Sequence, residues 1–320
     1  WPLEGVRLMS TTVLRTADAW WVRTPAGATR IDTRAQTTGQ LLAESERIAA
    51  AVGSREYVDP SELDVISPVT APCRVVAQMT NYASHAQDAG IKPEAIPLTF
   101  FRKASGSISG PTDDILRPAH VRCLDYEVEI GLVVGRELSV GTRVTEQNWT
   151  TFVAGLVVAN DVSARDIQLP KTQFYEAKSY PTFTPVGPAL VLLDADELSR
   201  FDALRLRLWV NGELRQDAMA GSDMIYSPVQ ALQALSRFQR LDPGDLLLTG
   251  TPKGTALSAP PKPVELIAAL LPTAVKWRIF FERQAKNPRY LKPGDVVEVA
   301  IGTDDGALDL GRQRTVVRSA

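Results

Sequence analysis

The chain has 320 residues, 44% hydrophobic and 22% charged, with a formal net charge of −2. That is the balance of an ordinary globular protein long enough for a sizeable core, and it gives no electrostatic footprint for nucleic acid. Two cysteines, Cys73 and Cys123, and two histidines, His85 and His120, exclude a disulfide scaffold, a Cys-rich zinc site and a His-x-x-x-His pair, and no apolar run reaches the length of a membrane span.

In chain order, residues 1–68 read as a small α+β unit. Short strands are expected at 6–14, 19–22 and 29–31, with a turn at Pro25-Ala26-Gly27 and helical spacing over 38–52. Ser67-Pro68 and Ala71-Pro72 mark a linker, because residues before proline favour extended backbone. The opening Trp1-Pro2-Leu3-Glu4 shows no basic-then-apolar pattern, so the expected location is cytoplasmic. From residue 75 the pattern turns strand-rich: 75–79, 98–103, 125–134, 153–161, 189–193, 204–210, 245–249 and 295–301. Helical patterns are few, at 82–90, 146–149, 162–167 and 228–238. Many short strands with 21 Gly and 22 Pro predict a mainly β fold with few helices (α+β), with a small domain over 1–68 and a larger one over 69–320.

Three carboxylates stand out. Glu127 and Glu129 alternate within Asp125-Tyr126-Glu127-Val128-Glu129-Ile130, so period two puts both on one face of a half-buried strand, roughly 7 Å apart. Asp161 ends the apolar run 153–160. Taken alone, alternating Glu is a solvated strand face and a strand-end Asp a turn former. Together the three form an oxygen-only ligand set suited to Mg²⁺, Mn²⁺ or Ca²⁺. Gly250-Thr251-Pro252-Lys253-Gly254 lacks the ending of a phosphate loop and reads as a turn at a strand end, with the Thr249 and Thr251 hydroxyls free to meet a ligand.

Further stretches accompany these: Asn81-Tyr82-Ala83-Ser84-His85, Phe101-Arg102-Lys103, Asn160-Asp161-Val162-Ser163-Ala164-Arg165-Asp166-Ile167-Gln168, Lys178-Ser179, Leu241-Asp242-Pro243-Gly244-Asp245, Thr249-Gly250-Thr251-Pro252 and Tyr290-Leu291-Lys292-Pro293-Gly294-Asp295. In this order and spacing, from about residue 70 to 302, the chain resembles the fumarylacetoacetate hydrolase family. The resemblance implies a mixed β-sandwich roll, a homodimer, and Mg²⁺ or Mn²⁺ held by Glu127, Glu129 and Asp161. It departs in two places. Asp88 stands where the family often has Glu, and residues 256–289 form an insert, apolar over 264–271 and 277–281, for which an ordered, mainly helical excursion is expected.

The implied chemistry begins from an enolate. A divalent cation acts as a Lewis acid on it, Lys178 adds positive charge at the developing oxyanion, and Gln168 adds an amide donor. For hydrolysis, His85 is the candidate base for water and Asp88, three residues on, the group that orients its ring; the plain alternative is a helix-capping or surface His. Arg102 and Lys103 are candidates for a substrate carboxylate or a solvated loop pair, and Thr182 and Thr251 for further substrate contacts. Arg165 and Asp166 read equally as a structural ion pair or as a substrate contact. The leading expectation is a metal-dependent hydrolase of a carbon–carbon bond in an acylpyruvate or related diketo or enol acid. The alternative is an oxo-acid decarboxylase or an enol–keto tautomerase like 2-hydroxyhepta-2,4-diene-1,7-dioate isomerase, and the remote one a non-catalytic metal-binding protein. Expected partners are a small oxo or enol carboxylic acid and a second copy of the chain, with neither nucleic acid nor membrane.

Overall fold

A computed structural model of the chain describes residues 10–88, 90–171, 174–257 and 271–320. Its strands begin with β1 (Thr11–Arg15), β2 (Trp20–Thr24), β3 (Gly27–Arg30), β4 (Val75–Gln78), β5 (Phe100–Lys103) and β6 (Ile108–Ser109). Next come β7 (Ile115–Arg117), β8 (Leu124–Asp125), β9 (Val128–Val134), β10 (Val153–Asn160), β11 (Ser163–Ala164) and β12 (Thr184–Pro185). The last are β13 (Leu190–Leu192), β14 (Leu204–Val210), β15 (Glu213–Met219), β16 (Leu246–Leu248), β17 (Val296–Thr303) and β18 (Asp309–Ser319). Nine of them form one mixed sheet in the order β3-β2-β1-β13-β10-β9-β16-β4-β5, and five form a second, β15-β14-β17-β18-β7. The fold is mainly β, as the sequence predicts.

The two sheets pack face to face. Val128, Ile130, Leu132 and Val134 of β9 share one buried cluster with Leu204, Leu206 and Leu208 of β14 and with Val297 and Val299 of β17. The other face of the nine-stranded sheet is covered too: Val133, Val157, Val75 and Leu246 cluster with Leu41, Leu42 and Ile48. All of β9 is therefore buried, rather than half-buried. This explains why its sequence reads as a near-continuous apolar run interrupted only by Glu129 and Gly131.

The expected 38–52 helix is two helices, Thr38–Leu42 and Ser45–Val52. The first starts on a capping box between Thr37 and Gln40. These helices and β1–β3 do not sit apart from the rest. β1 pairs antiparallel with β13 (Thr11↔Leu192, Val13↔Leu190), so the large sheet runs across the predicted division at residue 68. Within the 256–289 insert, Thr273–Gln284 is helical; residues 258–270, which include most of the apolar 264–271 segment, lie outside the described residues.

Candidate metal and acid–base site

The expected 125–134 strand is broken at Tyr126 and Glu127. Side chains replace the strand ladder there: the Glu127 N–H donates to Asn160 Oδ1 (3.0 Å) and the Val128 N–H to Gln216 Oε1 (3.0 Å). The alternation survives the break. In the β9–β10 register Glu129 stands opposite Ala159, and the Asp161 N–H donates to the Glu127 carbonyl at 2.8 Å. Glu127, Glu129 and Asp161 thus converge, each buried, with one carboxylate oxygen from each lying within 4.8 Å of the others.

Three cations and a fourth carboxylate surround them. Lys178 Nζ lies 2.5 Å from Glu127 Oε2 and 2.6 Å from Asp161 Oδ2. Lys103, fully buried, pairs with Asp161 and donates to the Phe183 carbonyl at 3.0 Å. Arg165 pairs with Glu127, with Asp125 Oδ2 at 2.8 Å, and with Gln168 Oε1 at 2.8 Å. Four carboxylates against three cations leave the buried cluster one cation short, and Glu129 is the carboxyl without one. Glu129 Oε2 accepts the Gly250 N–H at 2.8 Å, and no ion pair reaches Glu129 among the described residues. Burial, then the charges of Asp161 and Glu127, holds its carboxyl well above the usual range. At Glu127 burial acts in the same direction but is outweighed by Arg165 and Lys178, so its carboxyl lies below the usual range. Burial lowers the Lys103 ammonium against a partial pull from Asp161. A hard divalent cation fits this donor set: it is oxygen-only, buried, and one cation short.

The turn after β16 is shaped for this contact. Gly250 has φ +87°, and a Cβ there would meet the Asn81 Cβ at 2.8 Å. Asn81 in turn donates to the carbonyls of Thr249 (2.9 Å) and Tyr226 (3.0 Å). It thereby ties the start of the helix Ala83–Asp88, which carries His85, to the strand end beside the carboxylates.

A cavity of about 1010 Å³ opens over the cluster, lined at its polar end by Glu127, Glu129, Asp161, Lys178, Gln168 and His85. The His85 Nδ1 is buried without a hydrogen-bond partner among the described residues. Burial, with only partial compensation from Glu127, lowers the imidazole pKa below its ordinary value of 6.5. Asp88 also lines the cavity but is exposed, and no hydrogen bond joins it to His85. The expected dyad is therefore not made in this structure. Helix spacing brings the two to one side, but the shorter Asp carboxyl sits in solvent at the helix end.

Other expectations need correcting. Arg102 and Lys103 point to opposite faces of β5, as neighbours on a strand must. Arg102 is exposed, 3.5 Å from Gln239 Oε1 and away from the cavity, while Lys103 holds a carboxylate of the protein itself. Thr182, at φ +69°, accepts the Leu116 N–H (2.8 Å) and does not line the cavity. Thr251 does line it, accepting from Gln216 Nε2 at 2.9 Å, whereas the Thr249 hydroxyl is engaged by the Ile130 carbonyl at 3.0 Å. Arg165 pairs with Asp125 and Glu127, not Asp166, whose carboxylate takes the Arg122 N–H at 2.8 Å. Sequence reasoning missed Asp125, which also accepts the Ala256 N–H at 2.7 Å. The signal was present, since Asp125 extends the Glu127–Glu129 alternation by one more step.

A two-sheet β fold, a buried carboxylate triad that could hold a metal ion, two lysines paired to it and a His lining the same cavity make up the candidate site. The chain belongs to the fumarylacetoacetate hydrolase family: residues 74–318 match the family model described as Fumarylacetoacetate (FAA) hydrolase C-terminal. It is similar to the mitochondrial oxaloacetate tautomerase Fahd2a of Rattus norvegicus, 36% identical over 202 residues, which are 63% of this chain and 62% of that protein. The human mitochondrial oxaloacetate tautomerase FAHD2A is 34% identical over 203 residues, again 63% and 62%. The matches thus span under two thirds of these curated relatives. Among solved structures, a probable 2-hydroxyhepta-2,4-diene-1,7-dioate isomerase from Mycobacterium abscessus aligns with TM-score 0.73 and 29% identity over 98% of this chain and 99% of that one. A fumarylacetoacetate hydrolase from Exiguobacterium antarcticum aligns with TM-score 0.70 and 25% identity over 97% and 100%.

Proposed function

We propose that this chain is a divalent-metal-dependent tautomerase of 2-oxo acids, interconverting the enol and keto forms of an oxaloacetate-like substrate. The observation that carries the reading is the placement of His85: it lines the cavity beside the carboxylates, its Nδ1 is buried without a hydrogen-bond partner among the described residues, and no carboxylate holds it. Tautomerisation needs an enolate stabilised and one proton moved between oxygen and carbon. Hydrolysis needs in addition a base fixed on an attacking water. Tautomerase and isomerase names among the relatives support the same order, which reverses the sequence expectation of hydrolysis first.

Glu127, Glu129 and Asp161 would hold Mg²⁺ or Mn²⁺, which supplies Lewis-acid stabilisation of negative charge on the substrate oxygens. Lys178, fixed by Glu127 and Asp161, adds positive charge beside that oxygen. His85, whose imidazole pKa burial lowers, takes the proton and returns it. Gln168, held by Arg165, orients its amide toward the cavity.

The test is the decay of enol absorbance of oxaloacetate with Mg²⁺, alongside product analysis by NMR. Faster enol–keto exchange with the carbon skeleton intact is expected. Release of CO₂ would move the assignment to a decarboxylase, and a carboxylic acid fragment from an acylpyruvate would restore hydrolysis. We further propose a homodimer, for which light scattering should give twice the chain mass of 34.9 kDa; a monomer mass would refute it.

A further inference from the structure

The cavity is much larger than a four-carbon oxo acid requires. Its volume of about 1010 Å³ is at the upper end of pockets that enclose drug-sized ligands, roughly 300–1000 Å³. Away from the carboxylates its walls turn apolar and aromatic. Phe101 begins this wall directly at the acid cluster, with Lys178 Nζ 5.4 Å from its ring centroid and the Phe174 ring 5.2 Å beyond, edge-on. The far wall is the helix Thr273–Gln284. Trp277, Phe280 and Gln284 line the cavity at spacings of three and four, which is one helical face. The Trp277 and Phe280 rings pack edge-on at 5.7 Å, and the buried Phe281 stacks on Trp277 at 5.5 Å. Lys276 and Arg283, both exposed, stand where this face meets solvent.

We infer that the substrate is a 2-oxo or enol acid bearing a bulky apolar, preferably aromatic, tail, and that Trp277 and Phe280 select that tail. The inference rests on the proposed 2-oxo acid site and adds what lies beyond it. The occupant is argued from continuity. One cavity is lined by Lys178 at the acid cluster and also by Phe101, Phe174, Trp277 and Phe280, so a substrate whose head lies at Lys178 has its substituent in the same cavity as the inserted helix. A site serving only a four-carbon acid would leave this apolar surface in water at each turnover, which is unfavourable.

Isothermal titration calorimetry with Mg²⁺ and two acids that share a head, 2-oxobutanoate and 4-phenyl-2-oxobutanoate, tests it on the intact wild-type chain. The phenyl acid is expected to bind at least about tenfold tighter, the usual reward for filling an apolar subsite. Phe280→Ala, and separately Trp277→Ala, should shrink that ratio toward one. Equal affinity of the two acids for wild type overturns the inference and leaves the functional reading standing. Binding of neither acid overturns both. A tenfold preference that survives in both variants also overturns it, because the tail would then lie elsewhere.

Discussion

Neutralising Glu129 and neutralising Lys103 should change stability in opposite directions. Glu129 is the buried carboxyl that lacks a cation and is held well above the usual range, so Glu129→Gln breaks no ion pair and replaces a group that already resists ionising. Without metal this variant should unfold no earlier than wild type, and Mg²⁺ should no longer raise its Tm, whereas wild type gains Tm with Mg²⁺ by linkage. Lys103→Met leaves Asp161 short of a partner in a fully buried pair, at a cost of about 3 kcal/mol. Calorimetric melts with and without Mg²⁺ decide, and equal destabilisation by both substitutions would sink the charge count. His85 gives the pH dependence. Its ring titrates near 6.5 when unfolded and lower when folded. As pH falls through 6.5 the unfolded ring therefore takes up its proton before the folded one, and the ring's contribution to stability is present above 6.5 and lost below it. The acid limb of the rate profile should have its midpoint below 6.5, and His85→Ala should lose about 10²- to 10⁴-fold in turnover. Asp88→Asn should stay within about twofold, because Asp88 is exposed and unbonded to the ring. A limb at or above 6.5, or a large Asp88 effect, would show that the dyad forms with substrate. Among residues, the three carboxylates were legible because alternation and a strand end fix where they point. Lys103 and Arg102 were not, since adjacent positions of equal charge look alike until the strand is given faces.

At the scale of elements, strands with strict alternation or a long apolar run were the most legible. β14 falls on its predicted bounds and β10 within one residue of them. β15 and β18 were missed because they are rich in charge, Glu213, Arg215 and Asp217 in one and Arg312, Arg314 and Arg318 in the other. β15 is held by pairing with β14, and the alternating burial of β18 comes from pairing with β17 rather than from its own composition. The helix Thr273–Gln284 was legible from its aromatic cluster. Its anchor is Phe281, buried in the main core and stacked on Trp277 at 5.5 Å. Phe281→Ala should cost about 3–5 kcal/mol and lower Tm accordingly. An unchanged Tm would mean that the helix contributes nothing to the core it touches.

The whole molecule turns on whether residues 1–68 are a separable unit. Composition and the Ser67-Pro68 linker signal suggest one; hydrogen bonding ties it in. β1 continues the sheet beyond β13, Trp20, Leu41, Leu42 and Ile48 cover one face of that sheet, and Thr38 Oγ1 donates to the Pro68 carbonyl at 2.9 Å. Sequence alone does not reveal this, because pairing between strands about 180 positions apart leaves no local periodicity. Without these residues β13 presents a bare edge, and Val75, Val133, Val157 and Leu246 lose their cover. An exposed apolar face with an unpaired edge strand favours aggregation over folding. A chain starting at residue 69 is therefore expected to be insoluble or to lack a cooperative melt, even though it retains all three carboxylates, both lysines and His85. Size-exclusion chromatography and circular dichroism of that fragment give the answer. A soluble fragment that melts cooperatively at the full-length temperature, with Mg²⁺ still raising it, would establish that the site is carried by residues 69–320 alone and that the first three strands are an attachment to the sheet rather than part of what holds it together.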